Sequence, residues 1–145
     1  MTDTPATQPN ELNPHQRALL AEDSQEASEV ITVLLEGLGF DVTTVNNGRE
    51  CMDAVKRAEQ SGTPFDFVFI DIRMPLVDGN EAAVALRTTG YQNPLIAVTA
   101  DASLAGKLES TFSGFDAYLS KRGLDQGLLS QVVREVSTRG RHARC

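Results

Sequence analysis

The chain has 145 residues and a mass of 15.7 kDa, enough for one domain whose folding takes roughly 70% of the unfolded surface out of water. Thirteen Lys and Arg against twenty Asp and Glu leave a net charge of −7, with three of the arginines crowded into the last nine residues. That balance argues against nucleic acid or an anionic membrane as partner, and it suits a site that gathers carboxylates around a cation.

Residues 1–16 carry Pro5, Pro9 and Pro14 among Thr, Gln and Asn and read as a flexible leader or linker. Residues 17–137 read as the folded domain and residues 138–145 as a basic, flexible tail. Arg17–Glu22 is a short apolar run. Ala27, Val30, Ile31, Leu34, Leu35 and Leu38 then recur at helical spacing until Gly37 and Gly39 stop the helix. Phe40–Val45 alternates with β-branched residues, as a strand does. After Asn47-Gly48, the residues Cys51, Met52, Ala54, Val55 and Ala58 mark a second amphipathic helix. Phe65–Ile70 (FDFVFI) is the strongest strand signal, and a third helix follows Asp78-Gly79 on Ala82, Ala83 and Leu86.

Leu95–Thr99 (LIAVT) is a near-continuous apolar strand. Ala105, Leu108 and Phe112 line an expected fourth helix, Phe115–Ser120 a fifth strand, and Leu128, Leu129, Val132, Val133 and Val136 a fifth helix. Five strand–helix units in this length predict a doubly wound α/β fold. Its parallel sheet takes the flavodoxin-like order 2-1-3-4-5, with five helices distributed over both faces. Cys51 and Cys145 make no disulfide framework, no stretch reads as a signal peptide, and no apolar run approaches membrane-spanning length. A cytoplasmic location without direct membrane contact is the expectation.

Open sheets of this kind bind ligands beyond the carboxyl ends of their strands, where strand order reverses. The residues expected at that edge are Glu22-Asp23 after the first strand, Asp71 after the third, Thr99 after the fourth and Lys121 after the fifth. Each alone has an ordinary explanation: a helix cap, a turn aspartate, a β-branched strand residue, a surface lysine. Together at one edge they do not. Three close carboxylates need counter-charge, which a hard dication with oxygen ligands and the Lys121 ammonium would supply. The first strand is followed by no glycine-rich phosphate loop, and the two histidines lie in the flanks, away from any zinc-like spacing.

The segments ALLAEDS, FDFVFIDIRMPLVDG, PLIAVTADA and FDAYLSK, in this order and spacing, resemble the receiver domain of two-component response regulators over residues 17–137. The stretches GYQNPLIAVTADA and SGFDAYLSK are most similar to receivers attached to hybrid sensor histidine kinases. The resemblance implies that Asp71 accepts a phosphoryl group from a histidine kinase or histidine phosphotransfer protein. It implies Mg²⁺ on Asp23, Asp71 and the Arg73 backbone carbonyl, with Glu22 acting through water. Thr99 and Lys121 would contact the phosphoryl oxygens, and Thr99 and Tyr118 would switch the surface of the fourth helix, fifth strand and fifth helix. It also admits a weak dimer through that surface.

Arg73 and Asp101, which flank the path of attacking water in the resembling family, carry opposite charges here and would pair across the mouth. One position departs from the family pattern: Arg122, not proline, follows Lys121, so a trans peptide is expected there and the placement of the ammonium is left open. The competing readings are a stand-alone response regulator, a receiver-like module that works without phosphorylation, and an aspartate phosphatase. The last would need a second aspartate at position 73, which is Arg.

Overall fold

Alternation is what builds the two cores. The computed structural model describes residues 16–74, 78–100 and 114–144. Its strands are β1 (Arg17–Ala21), β2 (Asp41–Val45), β3 (Phe67–Asp71), β4 (Leu95–Thr99) and β5 (Ala117–Ser120), and its helices are α1 (Gln25–Gly37), α2 (Gly48–Gln60), α3 (Gly79–Thr88) and α4 (Gln126–Arg144). All strand pairings are parallel and the order is β2-β1-β3-β4-β5, the order expected for this fold class. The helix expected over Ala105–Phe112 lies outside the described residues, so α4 is the helix read above as the fifth.

Successive strand residues point to opposite faces. Leu20, Phe67, Phe69, Ile96 and Val98 pack with Ile31, Leu35, Leu129 and Val133 of α1 and α4. Leu19, Val68, Ile70 and Leu95 pack with Cys51, Val55, Ala82, Ala83 and Leu86 of α2 and α3. Because both faces are covered, β3 and β4 must be apolar at nearly every position, and they are buried throughout. The α1 stripe is narrower than the spacing suggests: Val30 is 58% exposed, while Ile31, Leu35 and Leu38 are buried in the core and Leu34 packs against it half-buried.

The helix ends follow from local chemistry. Ser24, Asn47 and Asp78 cap the amino ends of α1, α2 and α3 by accepting from Ala27, Glu50 and Glu81 N–H. At the other end of α1, Gly39 at φ +98° lets its own N–H reach Glu36 O at 3.0 Å and Phe40 N–H reach Leu35 O at 3.2 Å. This is a Schellman stop, repeated after α2 and α3.

One correction concerns the carboxyl end. The segment read as an unstructured basic tail continues α4 as helix to Arg144. It contains no proline, and its three arginines are of a residue type that the carboxyl end of a helix favours. Among the described residues no helix is long and apolar enough to cross a membrane.

Arg87, on the last turn of α3, ties the amino edge together. Its guanidinium donates to Gly114 O, Tyr91 O and Asn93 O at 3.0, 2.8 and 2.9 Å and to Asp116 Oδ2 at 2.7 Å. The same Asp116 oxygen accepts from Leu95 N–H at 2.9 Å, so one carboxylate joins the starts of β4 and β5 to α3.

Candidate functional site

The carboxyl edge of the sheet gathers the predicted residues because parallel strands all end on the same side. Glu22 directly follows β1, its N–H held on Val45 O at 3.0 Å. Asp71 ends β3 and Thr99 ends β4, and Lys121 directly follows β5. Glu22, Asp71 and Thr99 are 1%, 6% and 2% exposed, so three polar side chains are carried into an otherwise apolar sheet edge. Asp23 is exposed beside them, and the capping of α1 is done by Ser24.

Lys121 Nζ lies 2.8 Å from Glu22 Oε1 and 3.3 Å from Asp71 Oδ2. The departure at Arg122 therefore does not keep the ammonium from the site; the described residues contain no cis peptide bond, as expected at that position. Ser24 N–H donates to Glu22 Oε2 at 3.2 Å and Arg73 N–H to Asp71 Oδ1 at 3.2 Å. Burial pushes the Glu22 carboxyl above its ordinary range. The Lys121 hydrogen bond opposes that and the Asp71 charge adds to it. Burial pulls Lys121 down, but its hydrogen bond to Glu22 and the charge of Asp71 win and hold its pKa above the usual lysine value.

Glu22, Asp23 and Asp71 each offer a carboxylate oxygen within 4.8 Å of the others. Three negative charges face one ammonium, and the excess of two matches a dication. The donors are all hard oxygens, which suits Mg²⁺ and not a thiolate- or imidazole-seeking metal. The site can thus concentrate positive charge beside a nucleophilic carboxylate.

Of the other expected residues, Arg73 and Tyr118 lie within the described ones. Arg73 is exposed, with its backbone N–H on the Asp71 carboxylate. Tyr118 lies in β5, half-buried, its ring 5.8 Å from that of Phe115 in an edge contact. Asp101, expected to pair with Arg73, lies outside the described residues. Two residues at this edge escaped the sequence reading: Ser24, whose N–H supports Glu22, and Ser120, whose hydroxyl accepts from Arg122 N–H at 3.1 Å. Only the position of Ser24 before a helix could have signalled its role.

Residues 18–134 match the response regulator receiver domain family. The chain is 34% identical over 122 residues to Hybrid signal transduction histidine kinase I of Dictyostelium discoideum, a stretch that covers 81% of this chain and 7% of that protein. Among solved structures, it is similar to the receiver domain of sensor histidine kinase PA1611 from Pseudomonas aeruginosa PAO1, which has a magnesium ion coordinated in its active site cleft. The TM-score is 0.73 at 27% identity, over 84% of this chain and 97% of that one. The receiver domain of histidine kinase CKI1 from Arabidopsis thaliana, complexed with Mg²⁺ and BeF₃⁻, gives 0.67 at 28% identity, over 85% and 90%.

Proposed function

Because the chain belongs to the response regulator receiver domains, we propose that it takes a phosphoryl group from a phosphohistidine onto a carboxylate oxygen of Asp71. The observation that carries this is Asp71 itself: a buried carboxylate ending a central strand, with Lys121 at 3.3 Å and two further carboxylates beside it. In the transfer, an Asp71 oxygen attacks phosphorus and the P–N bond breaks. Its electron pair leaves with the imidazole nitrogen, and an acyl phosphate remains that water later hydrolyses.

Such a reaction asks the protein for positioning and for neutralisation of charge. Asp23, Asp71 and the Arg73 carbonyl are the groups that would hold Mg²⁺, with Glu22 behind them. When bound, the ion supplies counter-charge to the phosphoryl oxygens. Lys121 supplies a second cation, and the Thr99 hydroxyl a hydrogen bond. Lys121 also places a positive charge between the Glu22 and Asp71 carboxylates, in a setting that disfavours two close anions.

The signal would leave through Thr99 and Tyr118, with residues 105–112, β5 and α4 as the output surface; a weak dimer through that surface belongs to the same reading. Arg73 and Asp101 would act as opposed charges at the mouth. An exposed pair is worth about 0–1 kcal/mol, which limits any slowing of hydrolysis to roughly fivefold. The phosphodonor would be a histidine kinase or histidine phosphotransfer protein. The similarity to hybrid kinases supports placing the domain in a phosphorelay of that type.

The test is phosphorylation by a small-molecule donor or a phosphorylated kinase, read as a mass increase. Asp71→Asn is nearly isosteric and should retain the fold while labelling falls to background. Labelling of that variant at the wild-type rate would overturn the assignment.

A further inference from the structure

We propose that Ser120 and Gly123 are positioning residues that aim the Lys121 ammonium at the acceptor, an inference that rests on the roles given to Asp71 and Lys121 above. A lysine side chain has several freely rotating bonds, so it meets two carboxylates reproducibly only if its backbone is fixed. Here the backbone is fixed on both sides. Thr99 and Ser120 are paired across β4 and β5, and Lys121 N–H donates to Thr99 O at 2.7 Å. The Lys121 carbonyl accepts from Leu124 N–H at 3.4 Å, which closes a turn over Lys121–Leu124.

Two side-chain choices hold that turn. Arg122 carries an N–H, and the Ser120 hydroxyl accepts it at 3.1 Å. Gly123, third in the turn, has φ +71°, a value that suits glycine and strains other L-residues. Leu124 then packs against the core shared with α4, so the turn is pinned at its far end. From this base the ammonium reaches Glu22 Oε1 at 2.8 Å and Asp71 Oδ2 at 3.3 Å.

The test uses the full chain with Ser120→Ala and Gly123→Ala, and with Ser120→Thr and Gly123→Asn as the conservative counterparts. A Cβ at Gly123 would have nothing within 4 Å, so the alanine variant meets only backbone strain and should fold. Two quantities are read: beryllofluoride affinity at saturating Mg²⁺, and the acylation rate of Lys121 relative to the exposed Lys56 in metal-free protein. Both alanine variants should bind beryllofluoride about threefold to tenfold more weakly. They should also raise the Lys121-to-Lys56 labelling ratio several-fold, leave Mg²⁺ affinity no weaker, and be largely rescued by the conservative counterparts. A purely structural role would lower the melting temperature and leave the labelling ratio alone; that result, or unchanged values of both quantities, would overturn the proposal. Failure of the wild-type chain to bind beryllofluoride would instead overturn the acceptor assignment, with the labelling ratio still deciding for or against the turn.

Discussion

Gly79 is packed directly against the backbone of Asp71: a Cβ in place of its hydrogen would stand 2.6 Å from the Asp71 carbonyl oxygen and 2.7 Å from Ile72 Cα. The first turn of α3 is thereby seated under the end of β3, with Gly79 N–H on Ile72 O at 2.9 Å. Both neighbours are backbone, so neither can swing aside.

Gly79→Ala should therefore cost about 1–3 kcal/mol of stability, the range for an overpacked site. It should also weaken Mg²⁺ binding, because relief of the clash moves Asp71 or the Arg73 carbonyl. Urea unfolding and a metal titration on the same sample would check both. A variant as stable as wild type would mean that the two elements part without resistance.

Metal binding should distinguish the adjacent acids. Glu22 is buried and already engaged by Lys121 and Ser24 N–H, whereas Asp23 is exposed at the opening. Asp23→Asn should weaken Mg²⁺ on the order of tenfold, from loss of a charge at direct range, and Glu22→Gln distinctly less. Equal affinities in a calorimetric titration would contradict this division.

Stability should fall at alkaline pH through Cys51. Burial pushes its thiol up to about 12, against 9.0 when solvated. A raised folded-state pKa contributes stability that is complete below the unfolded value and lost as pH rises toward the folded one. The unfolded chain releases this proton from about pH 9 upward, and the slope there approaches ~1.4 kcal/mol per pH unit. Buried Tyr91, whose hydroxyl donates to Phe65 O at 2.9 Å and is also raised by burial, adds a second loss above its own solvated range. Denaturant unfolding at pH 8 and pH 9.5 should show a decline that shrinks in Cys51→Ala. An identical decline in the variant would assign the effect elsewhere.

The strands and the cluster of Glu22, Asp23, Asp71 and Lys121 were legible from local pattern, and the strand order from the fold class that pattern indicates. FDFVFI and LIAVT announce strands buried on both faces, and the acids and the lysine stand where the first, third and fifth strands end. Arg87 was not legible. Its partner Asp116 lies 29 residues away, and nothing local in either residue names the other. The helical continuation to Arg144 was missed for a different reason: a polar, basic composition resembles a loose tail, yet it also satisfies the carboxyl end of a helix already nucleated by Leu129, Val133 and Val136. Ser120 looked like one more strand residue, since its significance lies in the hydrogen bond its hydroxyl accepts.

The Arg87–Asp116 junction has a consequence for how this domain tolerates change. It secures the start of β5 to α3 and β4 from the amino edge, through contacts of Arg87 and Asp116 with Gly114, Tyr91, Asn93 and Leu95. The register of β5, and with it the reach of Lys121, is therefore tied to α3 and β4 at the edge of the sheet opposite the site. A change at Arg87 or Asp116, far from the carboxylates, should therefore be felt across the length of β5, where the ammonium takes its bearing.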